Sequence, residues 1–212
     1  MWIPQLPRAL WWDHNAYYHQ WLLRQLPARV DSALDVGCGA GVLASRLADR
    51  AGHVDAVDAS ELMIAKARAR TQSVRWLHGD ILDETLPLDP SGYGLVTAIS
   101  SLHHMPLRPA LRRLAGLVRP GGVLAVIGLY RLATVTDRAV EVVAVPANAG
   151  HGALLATRGM AGKPHDSGMP VQDAMDTFAQ IRAAATEITP GAVLRRRLYW
   201  RCSLLWRRAD HQ

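Results

Sequence analysis

Along the chain, short apolar runs alternate with amphipathic stretches. Residues 9–26 place apolar side chains at helical spacing and stop at Pro27, which predicts a helix. The apolar run 32–36 predicts a strand, and 42–51 a helix. A second strand is expected at 53–58. Ser60 is a good N-cap for a helix reaching residue 70, with Glu61 at its positive end. Residues 74–78 predict a third strand, 83–94 a Pro/Asp/Gly-rich loop, and 95–99 a fourth strand. A helix over 108–117 and a turn at Pro120-Gly121-Gly122 lead into a fifth strand, 123–129. Strands that alternate with helices imply a parallel, doubly wound α/β sheet with right-handed crossovers.

The last third reads differently. A helix is expected over 134–147, a loop over 148–170 where Gly and Pro are frequent, and an amphipathic helix over 171–187. Residues 192–200 and 202–207 alternate and adjoin, so they are predicted to pair antiparallel at one edge of the sheet. The whole of 1–212 is expected to form one domain. Within it, 1–28 would be an N-terminal helical lid, 30–130 a ligand-binding core, 131–170 an inserted cap for the acceptor, and 171–212 the final helix and edge strands.

Composition narrows this picture only a little. Half of the residues are hydrophobic and a fifth are charged, which is ordinary for a globular chain. The longest strongly apolar run, residues 122–129, is far too short to span a membrane. The N-terminus has two early prolines and no apolar run after a basic start, so a cytoplasmic protein without membrane contact is expected. Cys38 and Cys202 are far apart and do not suggest a disulfide framework. The net charge of +6 rests almost wholly on arginine, with Lys66 and Lys163 the only lysines. Apart from Arg195-Arg196-Arg197 and Arg207-Arg208 these arginines are scattered, which disfavours a nucleic-acid face.

The chemistry concentrates in Leu34-Asp35-Val36-Gly37-Cys38-Gly39-Ala40-Gly41, where a strand ends, glycines permit a tight turn and a helix begins. Dinucleotide sites use G-x-G-x-x-G. Here the third glycine comes one residue early, and Val42 stands in its place. Asp35 lies inside the strand, where burying a carboxylate is costly. A ligand carrying an ammonium and a sulfonium suits it better than a pyrophosphate.

Residues 34–41 resemble the first motif of class I S-adenosylmethionine-dependent methyltransferases, and the resemblance extends in order and spacing over about residues 30–130. It implies a Rossmann-like sheet of about seven strands, mostly parallel with an antiparallel edge strand and helices on both faces. It implies S-adenosyl-L-methionine as cofactor and S-adenosyl-L-homocysteine as product. Asp35, Gly37, Cys38 and Gly39 would serve the methionine part, and Asp58 the ribose hydroxyls. Ala59 and Met63 would flank ribose and adenine, Gly79, Asp80 and Ile81 would clamp adenine, and Ser100 would lie near the methionine portion. One departure is the fourth strand, where Tyr93-Gly94 puts glycine at the family's usual Asp.

Methyl transfer needs alignment more than a named nucleophile. His103, in Ser100-Ser101-Leu102-His103-His104-Met105, is the candidate to face the methyl group or act as base, with His104 behind it. Tyr17, Tyr18 and His19 are expected in a lid, and Lys163, His165 and Asp166 could meet a polar acceptor. No metal site is expected. A small-molecule acceptor is favoured, because no Asn-Pro-Pro or Asp-Pro-Pro motif and no RNA-binding module is present. A monomer or homodimer is expected. The alternatives are a non-catalytic S-adenosylmethionine-binding regulator or partner subunit, an RNA methyltransferase, and a nucleotide-dependent oxidoreductase.

Overall fold

The computed structural model describes residues 7–160 and 172–210. After a 3-10 turn at Arg8–Leu10 the order is α1 (His14–Gln25), β1 (Val30–Val36), α2 (Val42–Ala48), β2 (Ala51–Asp58), α3 (Glu61–Arg68), β3 (Arg75–His78), β4 (Tyr93–Ile99), α4 (Leu107–Leu117), β5 (Val118–Leu129), α5 (Val135–Thr157), α6 (Phe178–Ile188), β6 (Val193–Arg197) and β7 (Arg201–Arg207). The sheet order is β3-β2-β1-β4-β5-β7-β6. The first five strands are parallel, and β7 and β6 are antiparallel additions beside β5. This is the Rossmann-like sheet with an antiparallel edge.

Every residue of β4 is buried, as expected of a central strand covered on both faces. Period-two alternation sorts β1 between the two layers: Ala33 joins the layer with α1, α2 and α3, and Leu34 and Val36 join the layer with α4 and α6. At the amino edge of the sheet, buried Asp55 is fully partnered. It accepts from Arg75 through both oxygens, from the Tyr93 hydroxyl at 2.5 Å, and lies 2.6 Å from His53. Burial raises its proton affinity, but the bonds from Arg75 and Tyr93 outweigh that and hold it below the usual carboxylate range.

Three expectations need correction. The loop expected from 148 is helix as far as Thr157, although Pro146 lies inside it. Gly152 is a contact rather than a breaker: a Cβ there would come within 2.3 Å of the Leu10 carbonyl oxygen. As a result α5 is long and apolar enough, by length and composition alone, to cross a membrane. The strand expected over 192–200 ends at Arg197, because Tyr199 and Trp200 both adopt φ of 59° and turn the chain into β7. The helix expected from 171 begins at Phe178, behind a Thr177–Gln180 capping box. Lys163, His165 and Asp166 lie outside the described residues.

Candidate functional site

The site is built at the carboxyl edge of the parallel strands. Beyond Val36 the N–H groups of Gly37 and Cys38 both donate to the Val57 carbonyl, which ties the glycine turn to β2. Gly37 has φ of +67°, and a Cβ there would lie 2.2 Å from the Ser101 Cβ. Only glycine lets these two strand-end loops approach so closely. Gly41, also left-handed, opens α2.

Asp58 joins three elements. One carboxylate oxygen accepts from the Gly39 N–H at 2.8 Å and the other from the Ser60 N–H at 2.8 Å. Ser60 in turn caps α3 through the Met63 N–H. Asp35 is 2% exposed. Its Oδ1 accepts from the Thr97 hydroxyl at 2.8 Å, and its Oδ2 has no partner. Burial pushes its proton affinity up to about 7, the Thr97 bond opposes this, the charge of Asp58 adds to it, and the Ala44 backbone N–H opposes it weakly.

A cleft of about 300 Å³ opens over these strand ends. Of the residues singled out in the sequence, Gly37, Asp58, Ala59, Met63, Gly79, Asp80, Ile81, Ser100 and His104 line it. Ser101 and Met105 line it too and were not singled out. A side pocket of about 30 Å³ is lined by Asp35, Cys38, Gly39 and His19 together with Asn15, and it shares Gly37 and Ile99 with the cleft. Burial, followed by Asp35 and Asp58, drives the Cys38 thiol well above its usual range, so it is a neutral wall and not a nucleophile.

The histidines exchange their expected places. In the 3-10 turn Leu102–His104 successive side chains diverge by about a third of a turn. His104 therefore faces the cleft, while His103 lines a separate apolar cavity of about 20 Å³ with Leu102 and Cys202. Burial lowers the affinity of His103 for a proton to about 4, with His104 and Arg201 adding to the shift.

The lid residues divide in the same way. The Tyr18 hydroxyl donates to the Leu198 carbonyl at 2.6 Å, and Tyr17 packs edge-on against Trp12 and Tyr199. Neither lines these cavities. It is Asn15 and His19, one helical turn apart, that reach the side pocket. Asn15 was missed. Its Oδ1 accepts from the Ser100 hydroxyl at 2.8 Å and from Arg201 Nη2 at 3.4 Å. The 15/19 spacing was the available signal. Arg201 had no signal among scattered arginines.

The arginine triplet is largely occupied within the fold. Arg196 pairs with buried Asp137 at 2.7 Å, and Arg197 stacks over Trp21 and donates to Ser203. Among the described residues no group of His, Cys, Asp and Glu is placed to hold a metal ion.

Comparison with known proteins agrees with this geometry. Residues 33–122 match the family model of a methyltransferase domain. An uncharacterized methyltransferase of Mycobacterium tuberculosis is 36% identical over 208 residues, covering 92% of this chain and 96% of its own length. A ubiquinone biosynthesis O-methyltransferase of Aeromonas salmonicida is 34% identical over 130 residues, 53% of each chain. In fold, the chain is similar to geranyl diphosphate C-methyltransferase from Streptomyces coelicolor, solved with S-adenosyl-L-homocysteine, at a TM-score of 0.62 and 12% identity over 92% of this chain and 77% of that one. The mycobacterial likeness runs almost end to end: the chain belongs to the class I S-adenosylmethionine-dependent methyltransferases.

Proposed function

We propose that the protein transfers a methyl group from S-adenosyl-L-methionine to a small-molecule acceptor. The observation that carries this reading is Asp35: a buried carboxylate oxygen without a partner, in a pocket that adjoins a cleft lined by a second carboxylate, Asp58. An acid left in that state suits a cationic ligand group, and the ammonium of the cofactor's methionine part is one. Asp58 suits vicinal hydroxyls, because each carboxylate oxygen has more than one acceptor direction. Asp80 and Ile81, after β3, would hold the base, and Gly37 and Gly39 allow the backbone to come close to the methionine part. When bound, the cofactor supplies a methyl carbon on a positively charged sulfur.

The chain's own residues do the rest. Ser100, fixed by Asn15, and the Ser101–Met105 turn wall the cleft at the end of β4, where they exclude water and align an acceptor. An acceptor aligned there would take the methyl group through its lone pair, the electron pair of the broken bond staying on sulfur. His104 lines the cleft and is the side chain placed to take a proton if the acceptor must lose one.

Calorimetric titration of S-adenosyl-L-methionine, S-adenosyl-L-homocysteine and NADH tests the reading. Micromolar binding of the two sulfur compounds is expected, with none of NADH. Asp58→Ala should weaken both by roughly tenfold to a hundredfold. Because Asp58 also holds the glycine turn, melting curves of the variant accompany the titration. Wild-type protein that binds neither sulfur compound would sink the proposal.

A further inference from the structure

Arg201 is the first residue of β7, opposite Leu129 at the end of β5. Because β7 is antiparallel, its amino end falls on the same sheet edge as the glycine turn, Asp58 and Ser100. The guanidinium is therefore carried to the functional edge by register alone.

Its bonding is incomplete. Nη1 donates to the Tyr199 carbonyl at 3.2 Å, Nη2 reaches Asn15 Oδ1 only at 3.4 Å, and Nε is buried with no partner. Among the described residues no carboxylate lies within ion-pair distance of it. Asp13 is the carboxylate that acts on it from farther away, and its Oδ1 is engaged by the Asn15 and Ala16 N–H groups. Burial without a counter-ion lowers the affinity of Arg201 for its proton to about 10. Among the described residues, half-buried Arg196 pairs with buried Asp137, and exposed Arg75 pairs with buried Asp55. A buried cation is costly unless its hydrogen bonds are met by an anion.

The open positions also have a shape. Nε–H and the adjacent Nη2–H point the same way and form the edge that grips a carboxylate or phosphate through two parallel bonds. That edge abuts Asn15, whose side-chain oxygen already accepts from Ser100 in the cleft wall. The residue as a whole remains partly accessible but Nε is closed off in the unliganded fold, so an acid can grip this edge only as the Asn15 contact gives way.

We propose that Arg201 recognises an acidic group, carboxylate or phosphate, on the methyl acceptor, so that the substrate class is organic acids held by that group beside Ser100. This rests on the methyltransferase reading above. Arg201 acts here as a specificity-determining residue, and the acid it grips is separate from any demand on His104.

The test uses the full chain saturated with S-adenosyl-L-homocysteine. Calorimetry then compares hexanoate, benzoate and phenyl phosphate with hexanamide, benzamide and phenol. The acids should bind on the order of tenfold or more tightly than their uncharged counterparts. Arg201→Gln should erase that preference and Arg201→Lys should keep part of it. In both variants the affinity for S-adenosyl-L-homocysteine relative to 5′-methylthioadenosine, which lacks the amino-acid group, should stay as in wild type. A selective loss of S-adenosyl-L-homocysteine in Arg201→Gln would overturn the proposal, because the anion held would then be the cofactor's own. Equal binding of acids and uncharged counterparts, or no binding of any of them, by loaded wild-type protein would overturn it too, whether or not the variants fold. Failure of S-adenosyl-L-homocysteine to bind wild type would instead remove the reading on which this one rests.

Discussion

Two buried aspartates of neighbouring strands show how position decides what a carboxylate does. Asp55 receives Arg75, Tyr93 and His53 and serves the fold, whereas Asp35 has the Thr97 hydroxyl on one oxygen and nothing on the other. With its folded-state proton affinity raised to about 7, Asp35 favours the fold fully below the ordinary carboxylate range, and that contribution is lost as pH rises through about 7. Asp35→Asn should remove this dependence. Between about pH 5 and pH 8 the melting temperature of wild type should fall relative to that of the variant. A cationic ligand group beside Asp35 reverses the effect, so S-adenosyl-L-homocysteine binding near neutral pH should release a proton from wild type and none from Asp35→Asn. Calorimetry in buffers of different ionisation enthalpy reads this directly, and parallel melting profiles with no proton release would refute the role given to Asp35. Asp35, Asp58 and Asp80 were legible in the sequence because each ends or flanks an apolar strand. The facing of His103 and His104 was not, because one residue of phase in a 3-10 turn decides it.

At the scale of elements, the parallel strands were legible because short apolar runs punctuated by turn residues have few other uses. The helix α5 was half legible. Its amino end carries a Thr134–Asp137 capping box, yet Pro146, Gly150 and Gly152 read locally as a loop. What overrides them is tertiary. Gly152 admits the Leu10 backbone, and buried Asn148 accepts from the Trp12 indole at 2.8 Å and meets His14 at 3.0 Å. Partners more than 130 residues away leave no mark on local periodicity. This single amide fastens the segment that enters α1 to α5. Asn148→Leu keeps the volume but strands the Trp12 N–H, which should cost about 1–3 kcal/mol. Amide exchange along α1 should quicken while that of β4 and β5 changes only by the global loss. Exchange in α1 slowed or unchanged would show that α1 does not depend on this anchor. The same clasp explains why α1 offers Asn15 and His19 to the site and keeps Tyr17 and Tyr18 in an aromatic cluster.

For the whole molecule, the sheet gathers at one edge residues that the sequence scatters from Asn15 to Arg201. The parallel part of that gathering follows from the βα alternation, which is why most of the residues that line the cleft could be read in advance. The antiparallel return of β7 obeys no such rule, and Arg201 came with it unannounced. The same convergence buries His19 and half-buries His14 and His103, from two distant segments. Burial is the largest cause in each and lowers all three to about 4. They are neutral in the fold and protonated in the unfolded chain, so their contribution is present above the ordinary histidine range and is lost as pH falls from about 6.5 toward 4. Asp35 pulls the other way in part of that window, but it is one group against three. A tenfold difference in proton affinity is worth about 1.4 kcal/mol. Counting only that much for each histidine and setting one against Asp35 leaves about 3 kcal/mol, or a fall of roughly 10 °C in melting temperature at this chain length. Thermal melts at about pH 7 and pH 4.5 should show it. His19→Asn should shrink the fall by about half, and Asp35→Asn should enlarge it. A flat profile across this range would mean that these histidines take up protons without opening the fold, and the stabilising role given to their neutral forms would have to be abandoned.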